Sequence, residues 1–382
     1  MTKTFTVEVA PQVLIWLRTS AGWKIDEVAR KLHTSVEVVE GIESGKKNPT
    51  MGQLNILSDI YKRPIASFFL SKPKQERPMP KDYRLLPNKI DIFDRKTILV
   101  IRMARNLQNV SMELSLNINY STKTEIKKSK LTDNPEFIAS EYREALNFDI
   151  EKQRKFRDAY KMMSYLRDVL EDLNILVFQF SMPVEDARGF ALTDEFPNII
   201  VINTKDSIEA RLFTLLHEFG HIILGETVID LPAVSLQTRN DIEDWCNSFA
   251  SAFLLPKEVS IDLFNKYSPS LTQTDTLNAL SKRYKVSKAA LLIKMVNLNY
   301  ISRQEFESVL ARYTSNETEV EKKEKKVIGI ASDQRCISEV GNKFVSLVAN
   351  NFDREFITYN DALSFLSIKS RNFDKVLARA RK

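Results

Sequence analysis

Apolar residues return every three to four positions through most of the chain, and strict alternation is rare, so helices dominate the expectation. Near the start, Val13, Leu14, Trp16 and Leu17 mark a helix from Pro11 to Ala21, before Gly22. Val28, Ala29 and Leu32 share one face of Ile25 to Leu32, and Val36, Val39 and Ile42 recur at threes between Ser35 and Ser44, closed by Gly45. Met51, Leu54, Leu57 and Tyr61 line Thr50 to Tyr61 after the break at Asn48-Pro49, and Pro64 opens a last turn, Ile65 to Leu70. Pro73, Pro78, Pro80 and Pro87 interrupt both helix and sheet, so 71–90 reads as a linker. Helical pattern resumes at Asp91 and runs to about Asn174, clearest at Ile98 to Leu107, Phe137 to Leu146 and Glu151 to Leu173. Ile175 to Phe180 and Asn198 to Asn203, rich in β-branched and aromatic residues, are the expected strands.

Two later helices follow. In the first, Asp206 is the expected N-cap with Glu209 at N3; Leu212, Leu215, Leu216, Phe219, Ile222 and Ile223 form the apolar face, and Gly225 is the stop. The second runs from Asp241 to Leu254 and ends at Pro256. Residues 313–326 are nearly all polar or charged and set off a small C-terminal module, 327–382, in which Phe344, Val345, Leu347 and Val348 read as core.

With 382 residues, 43% apolar and 28% charged, the chain has room for two or three domains with sizeable cores. No apolar run approaches the ~20 residues of a membrane span, and Met1 to Glu8 lacks the apolar stretch of a secretory signal, so no membrane partner and a cytoplasmic location are expected. Two cysteines, Cys246 and Cys336, make no disulfide framework. The net charge of +6 is uneven: residues 71–133 carry 14 Lys/Arg against 7 Asp/Glu, and the last twelve residues are basic. Such excesses permit contact with nucleic acid or an acidic partner, although a solvated face is the commoner reason for them.

The chemistry concentrates in one place. Of three histidines, His33 reads as a surface residue, whereas His217 and His221 flank Glu218 in Leu216-His217-Glu218-Phe219-Gly220-His221. Residues four apart on a helix project from one face, so both imidazoles can reach one Zn²⁺, with Glu218 placed to take a proton from water. Catalytic zinc takes three protein ligands, and no later histidine exists, so the third is sought among Glu226, Asp230, Asp241, Glu243, Asp244, Cys246 and Glu258. Glu243 is favoured because it lies in the first turn of the second helix; Asn247, four residues on, shares its face as a hydrogen-bonding support for a ligand. Asp244 would point about 100° away, and Cys246 reads as a small buried apolar residue. With no further histidine near the site, a Tyr, an Arg or a backbone N–H must steady the oxyanion, and Tyr160, Tyr165 and Arg211 are candidates.

Two resemblances organise these readings. Glu27-Val28-Ala29-Arg30-Lys31-Leu32, Ile42-Glu43-Ser44-Gly45-Lys46-Lys47-Asn48-Pro49, and Leu54, Leu57 and Ile60 resemble the five-helix XRE (Cro/repressor-type) helix-turn-helix domain. Its groove-reading helix here carries an acidic stripe, Glu37, Glu40 and Glu43; Glu43 is open to a structural role, but Glu37 and Glu40 offer only acceptors, so protein docking is favoured over DNA reading. Lys24, Lys46 and Lys47 remain available to touch phosphates.

Further along, Phe190-Ala191-Leu192, Pro197 to Asn203, Phe213 to His221, Glu243 to Ala250 and Leu254-Leu255-Pro256 resemble the ImmA/IrrE metallopeptidases. Lys285-Val286-Ser287 and, upstream, Tyr61-Lys62-Arg63-Pro64 and Asp82-Tyr83-Arg84 are similar to other segments of that family. The resemblance implies a mainly α fold with a small β-sheet: an N-terminal helix-turn-helix bundle (1–70), then an α+β zincin-like metallopeptidase domain (91–312). It also implies Glu243 as third zinc ligand, a gluzincin-like arrangement, and cleavage of a partner, often an XRE-type repressor, to relieve repression. The alternative is a DNA-binding regulator or antitoxin-type module whose peptidase-like domain senses or scaffolds. Self-association is left open. The strand Asn198 to Asn203 is a further candidate, either for pairing with an extended substrate or as plain core.

Overall fold

The computed structural model describes residues 5–74, 93–120, 126–225, 229–230, 241–320 and 331–380, with backbone alone at 229–230, 313–320, 332 and 380. The expectations for 75–90, Glu226, 321–330 and the terminal Arg381 and Lys382 lie outside the described residues. The fold is mainly α with one small sheet, and chain contacts divide it into two compact units, the described residues up to Met103 and those from Ala104 onward.

The first unit holds α1 (Pro11–Ser20), α2 (Ile25–Lys31), α3 (Val36–Glu43), α4 (Met51–Tyr61), a 3₁₀ turn at Ile65–Phe69 and the start of α5 (Arg95–Asn117). Val13, Leu17, Val28, Val39, Ile42, Leu54, Leu57 and Phe68 close one core. A capping box between Thr50 and Gln53 opens α4, as the break after Asn48-Pro49 requires. Glu43 leaves the expected acidic stripe: it is buried and takes two hydrogen bonds from Arg18, at 2.7 and 2.9 Å.

The second unit continues with the rest of α5, then α6 (Pro135–Ala145), α7 (Ile150–Lys155), α8 (Ala159–Asp172), β1 (Ile175–Phe180), β2 (Gly189–Leu192), β3 (Asn198–Asn203), α9 (Ile208–Leu224), β4 (Ile229–Asp230) and α10 (Asp241–Leu254). It ends with α11 (Lys257–Tyr267), α12 (Thr274–Tyr284), α13 (Lys288–Asn297), α14 (Arg303–Val320), α15 (Ser332–Asp353), α16 (Tyr359–Phe365) and α17 (Phe373–Ala380). The single helix expected over Glu151 to Leu173 is two. Phe156 leaves helical geometry and stacks near Phe148, while Asp158 accepts the Lys161 N–H at 2.9 Å and starts α8 afresh.

The strands run in the order β1-β3-β2-β4, with β1 parallel and β2 antiparallel to β3. Asn198 to Asn203 is therefore bonded along both edges, and the pairing of this strand with a substrate is excluded; it is core. Its uninterrupted apolar run reflects cover on both faces. Val177, Ile200 and Ile202 join the cluster built with α8 and α9, while Phe178 meets Phe344 of α15 edge-on, 5.9 Å between ring centroids. The C-terminal segment thus belongs to the second unit rather than standing apart. Arg167 of α8 binds it, donating to the Ser338 carbonyl at 2.8 Å while paired at 2.9 Å with Glu171, which accepts the Lys343 N–H at 3.0 Å.

Candidate metal centre

The site rests on two helices whose ends are tied down by side chains from outside them. Ser207, one residue after the expected cap, accepts the Ala210 N–H at 3.3 Å and starts α9. Asp206 is occupied elsewhere: its carboxylate pairs with Arg188 at 3.0 Å, and its carbonyl accepts Arg211 Nε at 2.9 Å. Gly225 closes α9 in left-handed geometry, and Lys128 donates to the Ile222 carbonyl in the last turn at 2.6 Å. Burial pushes the Lys128 ammonium pKa down. At the far end of α10, Arg143 donates to the Phe253 carbonyl and Gln153 to that of Leu254 at 2.8 Å. Burial pushes the Arg143 guanidinium down to about 10.

The two helices meet at Gly220, where a Cβ would lie 3.1 Å from Cys246 Sγ and 3.3 Å from its Cα. The bare glycine lets α10 come this near, at separations tighter than a Cβ ordinarily meets. The approach carries Glu243 beneath the histidines: its carboxylate oxygens lie 3.2 Å from His217 Nε2 and 3.4 Å from His221 Nε2, and the two Nε2 atoms are 3.1 Å apart. All three residues are at most 2% exposed. A small tetrahedral ion with bonds of about 2.0–2.1 Å holds its ligands about 3.3 Å apart. Two imidazole nitrogens and a carboxylate at these separations therefore fit a divalent metal, and the donor atoms all lie within 4.8 Å of one another.

Glu218 is fully buried on the side of α9 that faces β2. There Gly189 brings bare backbone against the helix: a Cβ on it would lie 2.5 Å from Thr214 Cγ2, 2.8 Å from the Val201 carbonyl and 3.6 Å from Glu218 Cγ. Sequence reasoning passed over Gly189. Its signal is a glycine heading the short apolar run Phe190-Ala191-Leu192, which marks close backbone approach.

Among the described residues no other candidate ligand joins this group. Asp241, Asp244 and Glu258 are exposed, Asp230 lies where backbone alone is described, and Cys246 is spent on the contact with Gly220. Burial, then the like charges of Asp241 and Glu243, raise the Asp244 carboxyl. Asn247 is exposed, contrary to its expected supporting place. The buried arc of α10 centres on Cys246, Phe249 and Phe253 with Glu243 at its margin, and the further ~40° to the fourth residue carries Asn247 into solvent. Tyr165 donates its hydroxyl to the Leu146 carbonyl at 2.9 Å, Arg211 binds the Thr204 and Asp206 carbonyls, and Tyr160 is 65% exposed. In the first unit Lys24, Lys46 and Lys47 are exposed, as are Glu37 and Glu40 on α3.

Comparison with known proteins agrees with this arrangement. Residues 170–295 match the peptidase M78 family, described as the IrrE N-terminal-like domain, and residues 14–68 match a helix-turn-helix family. The chain is 33% identical over 100 residues to the radiation response metalloprotease IrrE of Deinococcus radiodurans, a stretch that is 25% of this chain and 30% of that protein. The second unit therefore carries an IrrE-type, metallopeptidase-like domain, and the first a helix-turn-helix. Among the described residues no helix is long and apolar enough to cross a membrane.

Proposed function

We propose that this protein is a zinc-dependent endopeptidase that cleaves a partner protein, an XRE-type transcriptional repressor, and so relieves its repression. The observation that carries the reading is the convergence of His217, His221 and Glu243 within 4.8 Å, with Glu218 next in sequence to the first of them. His217 and His221 would hold zinc through Nε2 and Glu243 through its carboxylate. Zinc held there would supply Lewis-acid chemistry, making a water easier to deprotonate and a scissile carbonyl more electrophilic. Glu218 takes the proton of the attacking water on its carboxylate and returns it to the departing amine. Gly189 and Thr214 pack beside the stem of Glu218 and restrict where that carboxylate can go.

The helix-turn-helix unit recruits the substrate in this account. Glu37 and Glu40 present acceptors on the helix that would enter a groove, which favours a protein over duplex DNA there. The test uses repressors encoded beside the gene, incubated with zinc-loaded wild type and with Glu218→Ala. Cleavage by wild type alone, at one bond located by the masses of the products, supports the proposal. Intact repressor with both proteins, or equal cleavage by both, rejects it.

A further inference from the structure

Besides residues 71–133 and the basic C-terminal stretch, a further concentration of positive charge lies where the peptidase reading does not use it. Residues 150–161 and 281–288 together carry nine Lys/Arg and two Asp/Glu, a net +7, so the other 362 residues are net −1. The fold joins these segments: Lys285 Nζ donates to the Arg154 carbonyl at 2.9 Å, and Gln153 donates to the Tyr284 carbonyl at 2.8 Å. The C-terminal end of α12 therefore lies against α7, with Asp158 at the α8 N-cap near enough to act on Lys285. Some cations are occupied. Lys285 is buried, Lys152 binds the Tyr165 hydroxyl at 2.7 Å, and Arg154 pairs with Glu151 at 2.7 Å. Lys155, Lys161, Lys282 and Arg283 are exposed and form no ion pair among the described residues. Arg157 touches Asp158 yet remains 82% exposed. Beside it on α8, Tyr160 leaves 65% of its surface in solvent.

We infer that this surface of α7, α8 and α12 binds the phosphate backbone of nucleic acid, independently of the helix-turn-helix unit. A density of fixed cations this far above the chain's mean repels itself, and a bound polyanion relieves that repulsion. Consistently, burial and then the like charge of Arg154 hold the Lys285 ammonium below its usual range. An acidic protein segment would satisfy the charge, but the exposed ring between Arg157 and Lys161 favours nucleic acid, whose bases and sugars stack on aromatic side chains. The inference does not depend on peptidase activity, so it stands or falls separately from the proposed reaction.

The test titrates full-length protein into a labelled duplex of arbitrary sequence across a range of salt. It compares wild type, the charge reversal Lys155→Glu/Lys161→Glu/Lys282→Glu/Arg283→Glu, and Lys24→Ala/Lys46→Ala/Lys47→Ala in the first unit. All these positions are exposed, and Lys155→Arg/Lys161→Arg/Lys282→Arg/Arg283→Lys controls for shape. The inference predicts at least a tenfold loss on reversal and a slope of log affinity against log salt shallower by about 0.9 per contact removed, or about 3–4 in all. The charge-conserving set and the first-unit lysine variant keep the wild-type slope. Unchanged affinity and slope on reversal would overturn the inference. So would polyglutamate displacing the duplex from wild type at equal charge, which would assign the surface to an acidic protein.

Discussion

Gly220 of α9 packs directly on Cys246 of α10: a Cβ on the glycine would lie 3.1 Å from the thiol sulfur and 3.3 Å from the Cys246 Cα. The spacing of the two helices, and with it the reach of Glu243 towards His217 and His221, is set here. Because the cysteine is fully buried, its part is to fill this contact.

Gly220→Ala therefore forces α10 outward by a few tenths of an ångström. Overpacking of this kind costs typically 1–3 kcal/mol, to be read from urea unfolding. Metal affinity falls as well. Adding Cys246→Ala recovers only part of both, since the backbone contact at 3.3 Å remains.

Gly189→Ala acts on the other face of α9. The new methyl meets Thr214 at 2.5 Å and the Val201 carbonyl at 2.8 Å, so β2 must move off the helix. The expected result is a similar loss of about 1–3 kcal/mol in unfolding. Because β2 packs near Glu218 rather than the metal donors, the cleavage rate falls while the bound metal content is unchanged. Loss of metal in step with activity would contradict this division of the site.

Several of these relationships were legible in the chain, and each exception has its own physical cause. β1 and β3 have the expected bounds because six-residue β-branched runs buried on both faces leave a continuous apolar signature. α9 and α10 were legible because an apolar arc and capping residues coincide with the chemistry they carry. β2 escaped notice because four residues headed by glycine are too short to show a period. The break between α7 and α8 lay hidden because Lys155 to Asp158 is helix-compatible residue by residue, and only the cap formed by Asp158 decides it. Ser207 and Asp206 are both good caps, and the choice turned on Arg188, which no local pattern reveals. The docking of α15 depends on Arg167 and Glu171 reaching about 170 residues along the chain, which periodicity does not register.

The first unit has a pH dependence that can be assigned. Glu27 accepts the Lys24 N–H at 2.9 Å and pairs with Arg95 at 2.7 Å, and these contacts, the backbone one foremost, hold its carboxyl below the usual range. Its folded pKa is thus lower than its unfolded one. The stabilisation is complete above the unfolded value of about 4.3 and disappears as pH falls through the folded value. Wild type should lose more stability than Glu27→Gln between about pH 5 and pH 3, measured as the shift of the urea midpoint for each protein. Parallel shifts in the two proteins would show that Glu27 does not contribute.

The most direct test of the metal centre is a competitive titration of zinc into wild type, Glu218→Gln and Glu243→Gln. The account predicts equal affinity for the first two, because Glu218 handles the proton and holds no metal. For Glu243→Gln it predicts a loss of more than about a hundredfold, beyond the 10–100-fold typical of losing a residue that merely supports a ligand. Wild-type zinc affinity in Glu243→Gln would contradict the centre described here.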